Sequence, residues 1–227
     1  LHKAIRRQRQ MCIRDSLNTI PKDKYSIDLF LLNKEGLFLS QVPDFVNIIE
    51  ANKIFKSIHH SLTDINFFFP QNYTLWWNVF LSRLKSKKYK KNHREQAHWQ
   101  TWHTYIDALS GEYDCAISYV EGAMNYFVID KVKAKRKILW IHNVYAALHY
   151  DISFDYNYFS RADRVVTMSK SGLLSLQENF PSIKSKFIVL ENISNSGLIE
   201  KLYTESIKEK EYENFDGLKL LSIGRLM

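Results

Sequence analysis

The chain has 227 residues, a formal net charge of +8 and 45% hydrophobic residues, with 13 Tyr, 14 Phe and 5 Trp against 7 Gly and 4 Pro. That apolar content can offset the entropy of ordering, which excludes a disordered or low-complexity chain, and the length suits one full core and at most a second small one. No run of about 18 apolar residues suggests a transmembrane helix, no apolar stretch with a cleavage site follows the basic start, and the basic balance points to an acidic partner: nucleic acid, anionic membrane or phosphorylated substrate.

The first residues, LHKAIRRQRQMCIRD (Leu1 to Asp15), are basic with no clear apolar face. Residues 1–15 are expected to be a foreign, mistranslated or disordered segment. Ser16 to Pro21 reads as the end of a helix closed by proline. Tyr25 to Asn33 (YSIDLFLLN) is an apolar run bounded by polar residues and predicts a strand, Lys34-Glu35-Gly36 a turn, and Val46 to Ile49 a second short strand. Tyr73 to Tyr89 carries Leu75, Trp76, Val79, Phe80 and Leu84 near helical spacing, and seven positive charges lie between Arg83 and Arg94. A further helix is expected from Glu95 to Leu109, with Trp99, Trp102, Ile106 and Leu109 on one face.

From Tyr113 the pattern changes. The runs Asp114–Tyr119, Arg136–Ile141, Arg164–Met168 and Lys186–Leu190 read as buried strands. Between them, Ala123–Val132, Phe154–Ala162 and Lys170–Asn179 have helical composition. Strands alternating with helices mark βαβ units: an α/β, Rossmann-like parallel sheet with right-handed crossovers and helices on both faces. After Asn192 the pattern breaks. Ser196–Lys208 reads as a helix and Leu218–Ile223 as one more buried strand, running into Gly224-Arg225-Leu226-Met227. The expectation is truncation at the C-terminal end, because a domain closing on that strand leaves an unpaired edge. Cys12 and Cys115 have no metal-type spacing and read as reduced thiols of a cytosolic protein, with Cys115 filling the core.

The stretch from Tyr113 onward resembles the family 4 glycosyltransferases, which have the GT-B fold of two Rossmann-like domains. The resemblance rests on YDCAISYVEG (Tyr113 to Gly122), KRKILWIHN (Lys135 to Asn143), YFSRADRVVTMSKSG (Tyr158 to Gly172), FPSIKSKFIVLENI (Phe180 to Ile193) and LKLLSIGRLM (Leu218 to Met227), in the family's order. KDKYSIDLFLLNKEG (Lys22 to Gly36) is also similar to a strand region of these proteins. It implies an acceptor-side domain over residues 16–193 and the start of a nucleotide-sugar domain over 194–227. The chain departs from the pattern at both ends. The family's first strand and glycine-rich turn are replaced by Leu1 to Asp15, and the lysine and paired glutamates that follow the Gly-Arg turn are missing, so the resemblance implies a fold truncated at both ends.

Candidate site residues follow from strand ends, where parallel α/β sheets bind ligands. His142 ends the KRKILWI strand. The resemblance makes it the catalytic candidate, contacting the donor sugar or orienting the acceptor hydroxyl at the interdomain cleft; otherwise it closes its strand through a backbone hydrogen bond. Glu121 and Gly122 could bind acceptor hydroxyls, or form a surface turn. Ser169 and Lys170 open a helix whose N-terminus favours an anion such as an acceptor phosphate, or simply cap it. Asn192 ends the next strand of the series. By the resemblance, Gly224 and Arg225 bind the donor diphosphate, for which a planar guanidinium is suited. Neither a metal nor a cofactor beyond the nucleotide diphosphate sugar is expected, and no Asp-x-Asp motif is present.

The reading is therefore a fragment of a retaining glycosyltransferase, inactive alone, whose parent moves a hexose from a nucleotide diphosphate sugar to a glycan or lipid-linked acceptor. Trp76 to Arg94 joins aromatic residues to a basic run, which fits contact with an anionic membrane, or a core-facing helix with a solvated end. The protein is placed in the cytoplasm, peripheral at the inner face of the membrane. No nucleic-acid-binding module accompanies the basic run. The alternatives are a non-catalytic basic α/β module on an anionic membrane, and a GT-B sugar-nucleotide epimerase.

Overall fold

The computed structural model describes residues 12–36, 38–52, 55–56, 73–74, 77, 80–81, 84, 91–192 and 217, without the side chains of 91–94. The chain divides into two compact units, Leu1–Ile193 and Ser194–Met227. The expected elements Ser196–Lys208 and Leu218–Ile223, with Gly224 and Arg225, lie outside the described residues, as does most of the helix expected over Tyr73–Tyr89.

Residues 12–19 form helix α1, so the helix that stops before Pro21 reaches back at least to Cys12. Its charged residues are accommodated by pairing: Arg14 and Asp15 are buried and bridged at 2.6 Å, and Arg14 donates to Gln41 at 2.8 Å. Strands β1 (Ile27–Leu31) and β2 (Val46–Glu50) form a two-stranded parallel sheet, with Ile27 opposite Val46 and Leu31 opposite Glu50. Residues 73, 74, 77, 80, 81 and 84 are helical.

Helix α2 spans Lys91–Trp102. It stops short of the expected Leu109, passing into a 3-10 turn at His103–Tyr105. There the His103 ring nitrogen Nδ1 bonds the Trp99 carbonyl at 3.0 Å, taking up an acceptor that a continuing helix gives to its backbone. Trp99, Trp102 and Ile106 are buried as expected.

A second sheet holds β3 (Glu112–Ser118), β4 (Lys133–Ile141), β5 (Arg164–Thr167) and β6 (Phe187–Val189), all parallel and adjacent in chain order. The connecting helices are α3 (Ala123–Lys131), α4 (Ile152–Phe159) and α5 (Lys170–Asn179). This is the α/β class with Rossmann-like parallel sheets flanked by helices. Helix α4 begins two residues before the expected Phe154, because Asp151 accepts from the Phe154 backbone at 3.1 Å and caps it.

Ser118, Leu139, Val165 and Phe187 lie side by side across the four strands and are buried. Leu139, Val165 and Phe187 join Phe127, Phe159 and Leu176 of the three helices in one core. Cys115 differs from expectation. It is an exposed free thiol, because β3 alternates: Ala116 and Ser118 turn toward the core, while Cys115 and Ile117 face away. Cys12 is also free, but buried.

Candidate functional site at the carboxyl ends of the strands

Parallel strands place all their carboxyl ends on one edge of the sheet, and there the loops after β3, β4 and β5 carry the candidate residues. Gly122 turns the chain from β3 into α3 at φ 84°, a left-handed conformation that side chains rarely adopt. The turn presents Glu121, which is buried and joined to the end of β4. The Asn143 amide donates to its Oε1 at 2.5 Å, and the His142 backbone N–H reaches its Oε2 at 3.3 Å. The His142 ring bonds the Tyr119 carbonyl through Nε2 at 2.7 Å. A carbonyl only accepts, so Nε2 carries the proton, and the ring is held against the end of β3. The structure thus brings Glu121, Gly122 and His142 together, and adds Asn143 to them.

Ser169 and Lys170 stand at the end of β5. Ser169 caps α5, its Oγ accepting from the Gly172 backbone at 3.1 Å and contacting Ser171 Oγ at 3.0 Å. Gly172 is required by close approach, since a Cβ there would sit 2.3 Å from Thr167 Oγ1. Lys170 is exposed, and Asn192 lies just past β6, exposed. Ser169 and Lys170 thus follow β5 and Asn192 follows β6, whereas Glu121 and His142 follow β3 and β4.

A second layer of polar residues lies behind this edge. Glu95 of α2 places its carboxylate under the β3–α3 turn, accepting from the Ala123 backbone at 2.9 Å and from the Tyr150 hydroxyl at 3.2 Å. Its enclosure pushes its pKa above the ordinary carboxylate range, against the pull of those two donors, and the neighbouring Glu121 and Asp155 charges add to the rise. Asp155 of α4 is 1% exposed and accepts from Tyr126 at 2.6 Å, Tyr145 at 2.7 Å and Gln96 at 2.9 Å. Burial raises it to about 6 although all three donors favour its ionised form. The Tyr126, Tyr145 and Tyr150 hydroxyls are pushed upward, first by burial and then by these carboxylates, and stay protonated donors. Asn125 of α3 is 1% exposed, with neither amide atom partnered.

Sequence reasoning missed this layer because its members are scattered. The one local signal was a carboxylate inside an otherwise apolar helical run, Asp155 in ISFDYNYF. Among the described residues no group of three or more His, Cys, Asp or Glu could hold a metal ion, and no helix is long and apolar enough to cross a membrane.

The fold and this edge define an α/β protein with Rossmann-like parallel sheets and a polar strand-end cluster. Comparison with protein-family models, curated proteins and solved structures gave no match.

Proposed function

We propose that the protein is the acceptor-side part of a retaining GT-B glycosyltransferase, which moves a hexose from a nucleotide diphosphate sugar to a glycan or lipid-linked acceptor. The observation that carries this reading is the grouping of Glu121, Gly122, His142 and Asn143 at the carboxyl ends of β3 and β4. That edge is where parallel α/β sheets take ligands, and a carboxylate, an amide and an imidazole are the groups that recognise sugar hydroxyls. His142 orients the reacting hydroxyl, with its ring fixed by Tyr119. Glu121 and Gly122 bind the acceptor, and Ser169 and Lys170 take an anionic part of it at the α5 N-terminus. Gly224 and Arg225 take the donor diphosphate, whose charge a guanidinium stabilises as it leaves.

The test uses the protein expressed with the sequence flanking it in its gene. Nucleoside diphosphate release is measured from a panel of UDP-, GDP- and dTDP-hexoses with lipid-linked acceptors, and the anomeric configuration of the product is read by NMR. The expected result is acceptor-dependent release with retention, reduced by about 100-fold or more in His142→Ala. Full activity in that variant would remove His142 from the mechanism. Conversion of the nucleotide sugar without acceptor would replace the transferase by an epimerase.

A further inference from the structure

The first turn of α3 lies at the strand-end edge, and the N–H groups of a helix start there ordinarily suit an anionic ligand. Gly122, the residue that opens the helix, has no side chain to cap it. The cap comes from a distant part of the sequence. Glu95 of α2 accepts from the Ala123 backbone through Oε1 at 2.9 Å, and its Oε2 accepts from the Tyr150 hydroxyl at 3.2 Å. Both oxygens also lie close against Gly122: a Cβ on that residue would stand 2.5 Å from Oε1 and 2.7 Å from Oε2. The bare Cα of Gly122, at φ 84°, therefore forms a cradle, and the group in the cradle is a carboxyl of the protein itself.

A second group in the same turn bears on what the cradle could hold. Side chains of a helix tilt toward its N-terminus, so Asn125, in the first turn of α3, leans toward the cradle end. It is 1% exposed and neither amide atom has a partner. With Glu95 gone, a phosphate would find the Ala123 N–H and the Asn125 amide as donors. With Glu95 in place, a phosphate must displace an enclosed carboxyl and deprive it of both its donors, which is costly. We propose that Glu95 is the resident occupant of the α3 N-terminus and bars phosphate from the ends of β3 and β4, so that the part of the acceptor received beside Glu121 and His142 is uncharged. An anionic part is then left to the α5 N-terminus, whose cap is the neutral Ser169 hydroxyl. The inference rests on the acceptor reading of this edge, but the exclusion itself is measured without any sugar transfer.

The experiment is a titration of the whole protein with inorganic phosphate at fixed pH and ionic strength, chloride replacing phosphate, read residue by residue in amide NMR spectra. The unaltered protein, Glu95→Gln and Glu95→Ala are compared, and circular dichroism checks that each folds. Gln keeps an oxygen for the Ala123 N–H and fills the cradle, so the Gly122 and Ala123 amides should stay unmoved in both the unaltered protein and Glu95→Gln. In Glu95→Ala they should shift saturably, with phosphate held about tenfold or more tighter than in the other two. If Glu95→Ala misfolds, the unaltered protein and Glu95→Gln decide alone, since the proposal requires that phosphate leave these amides unmoved in both. Two results would overturn it: phosphate-dependent shifts at Gly122 and Ala123 in the unaltered protein, or a folded Glu95→Ala whose amides do not respond. Exclusion of phosphate without any sugar transfer would sink the transferase reading alone. Phosphate bound at Ala123 of an active transferase would sink this inference alone.

Discussion

Gly122 and Asp155 show how single residues hold the strand-end edge together. A Cβ at Gly122 would lie 2.5 Å from Glu95 Oε1 and would be added to a backbone already at φ 84°. Both effects oppose a side chain, so Gly122→Ala should cost roughly 1–3 kcal/mol in denaturant unfolding. Adding Glu95→Ala should recover the steric part but not the backbone part, so the double variant should cost less than the sum of the singles. Strict additivity would mean that the carboxylate moves aside freely. Asp155 makes a prediction about pH. Its folded pKa of about 6 lies above the ordinary carboxyl value, so between roughly pH 4 and pH 6 the folded protein binds more protons than the unfolded chain. Its contribution is therefore full below pH 4 and is lost as pH rises through 6, for a decline of up to about 3 kcal/mol. Asp155→Asn cannot ionise, so its stability curve should fall less steeply over that window. Glu95 shifts in the same direction but is present in both proteins, so it does not cancel the difference. Parallel curves for the two proteins would remove Asp155 as the titrating group.

At the scale of elements, the helices start where side chains cap them. Ser169 Oγ accepts from the Gly172 backbone, and Ser169→Ala should destabilise the protein by about 1 kcal/mol in equilibrium unfolding. Ser169→Asp should retain that stability, since a carboxylate caps as well and suits a helix N-terminus. If Ser169→Asp keeps the stability but loses anion binding, capping and ligand recognition separate. The helix Lys170–Asn179 was legible in the sequence because Ser169 stands at its start and the VVTM strand ends before it. The four strands from β3 to β6 were legible as short apolar runs between helical stretches, though only to within a few residues at their ends. β4 extends back to Lys133 because Lys133 and Lys135 stand opposite Glu112 and Asp114 across exposed strand ends, so its charged half pairs as well as its apolar half. Which face a residue takes was less legible. A run such as DCAIS gives no sign of which alternate positions the helices cover, which is why Cys115 is exposed rather than in the core.

Within the larger unit, the two-stranded and four-stranded sheets share no strand pairing among the described residues, and side chains couple them. Phe127 of α3 is central to that coupling. It stacks on Phe30 of β1 and on Phe55, each with centroids 4.8 Å apart, and Phe55 contacts Trp99 of α2 at 6.2 Å. Trp99 in turn contacts Tyr126 at 6.0 Å, which donates to Asp155. Polar links across the same region are the Tyr113–Asp28 and Asn52–Asp107 bonds, both 2.8 Å and both exposed, so they contribute little against water. Among the described residues the aromatic stack is the buried tie between the sheets. Phe127→Ala removes a 3% exposed ring from its centre and should cost about 3–5 kcal/mol. The loss should also be uneven. The amides of β1 and β2, held in a sheet of two strands that is marginal without packing, should lose hydrogen-exchange protection first. Those of β4 and β5, each flanked by strands and covered by Leu176 and Phe159, should keep theirs until global unfolding. Equal loss across both sheets would mean that they unfold as one cooperative unit even without the stack.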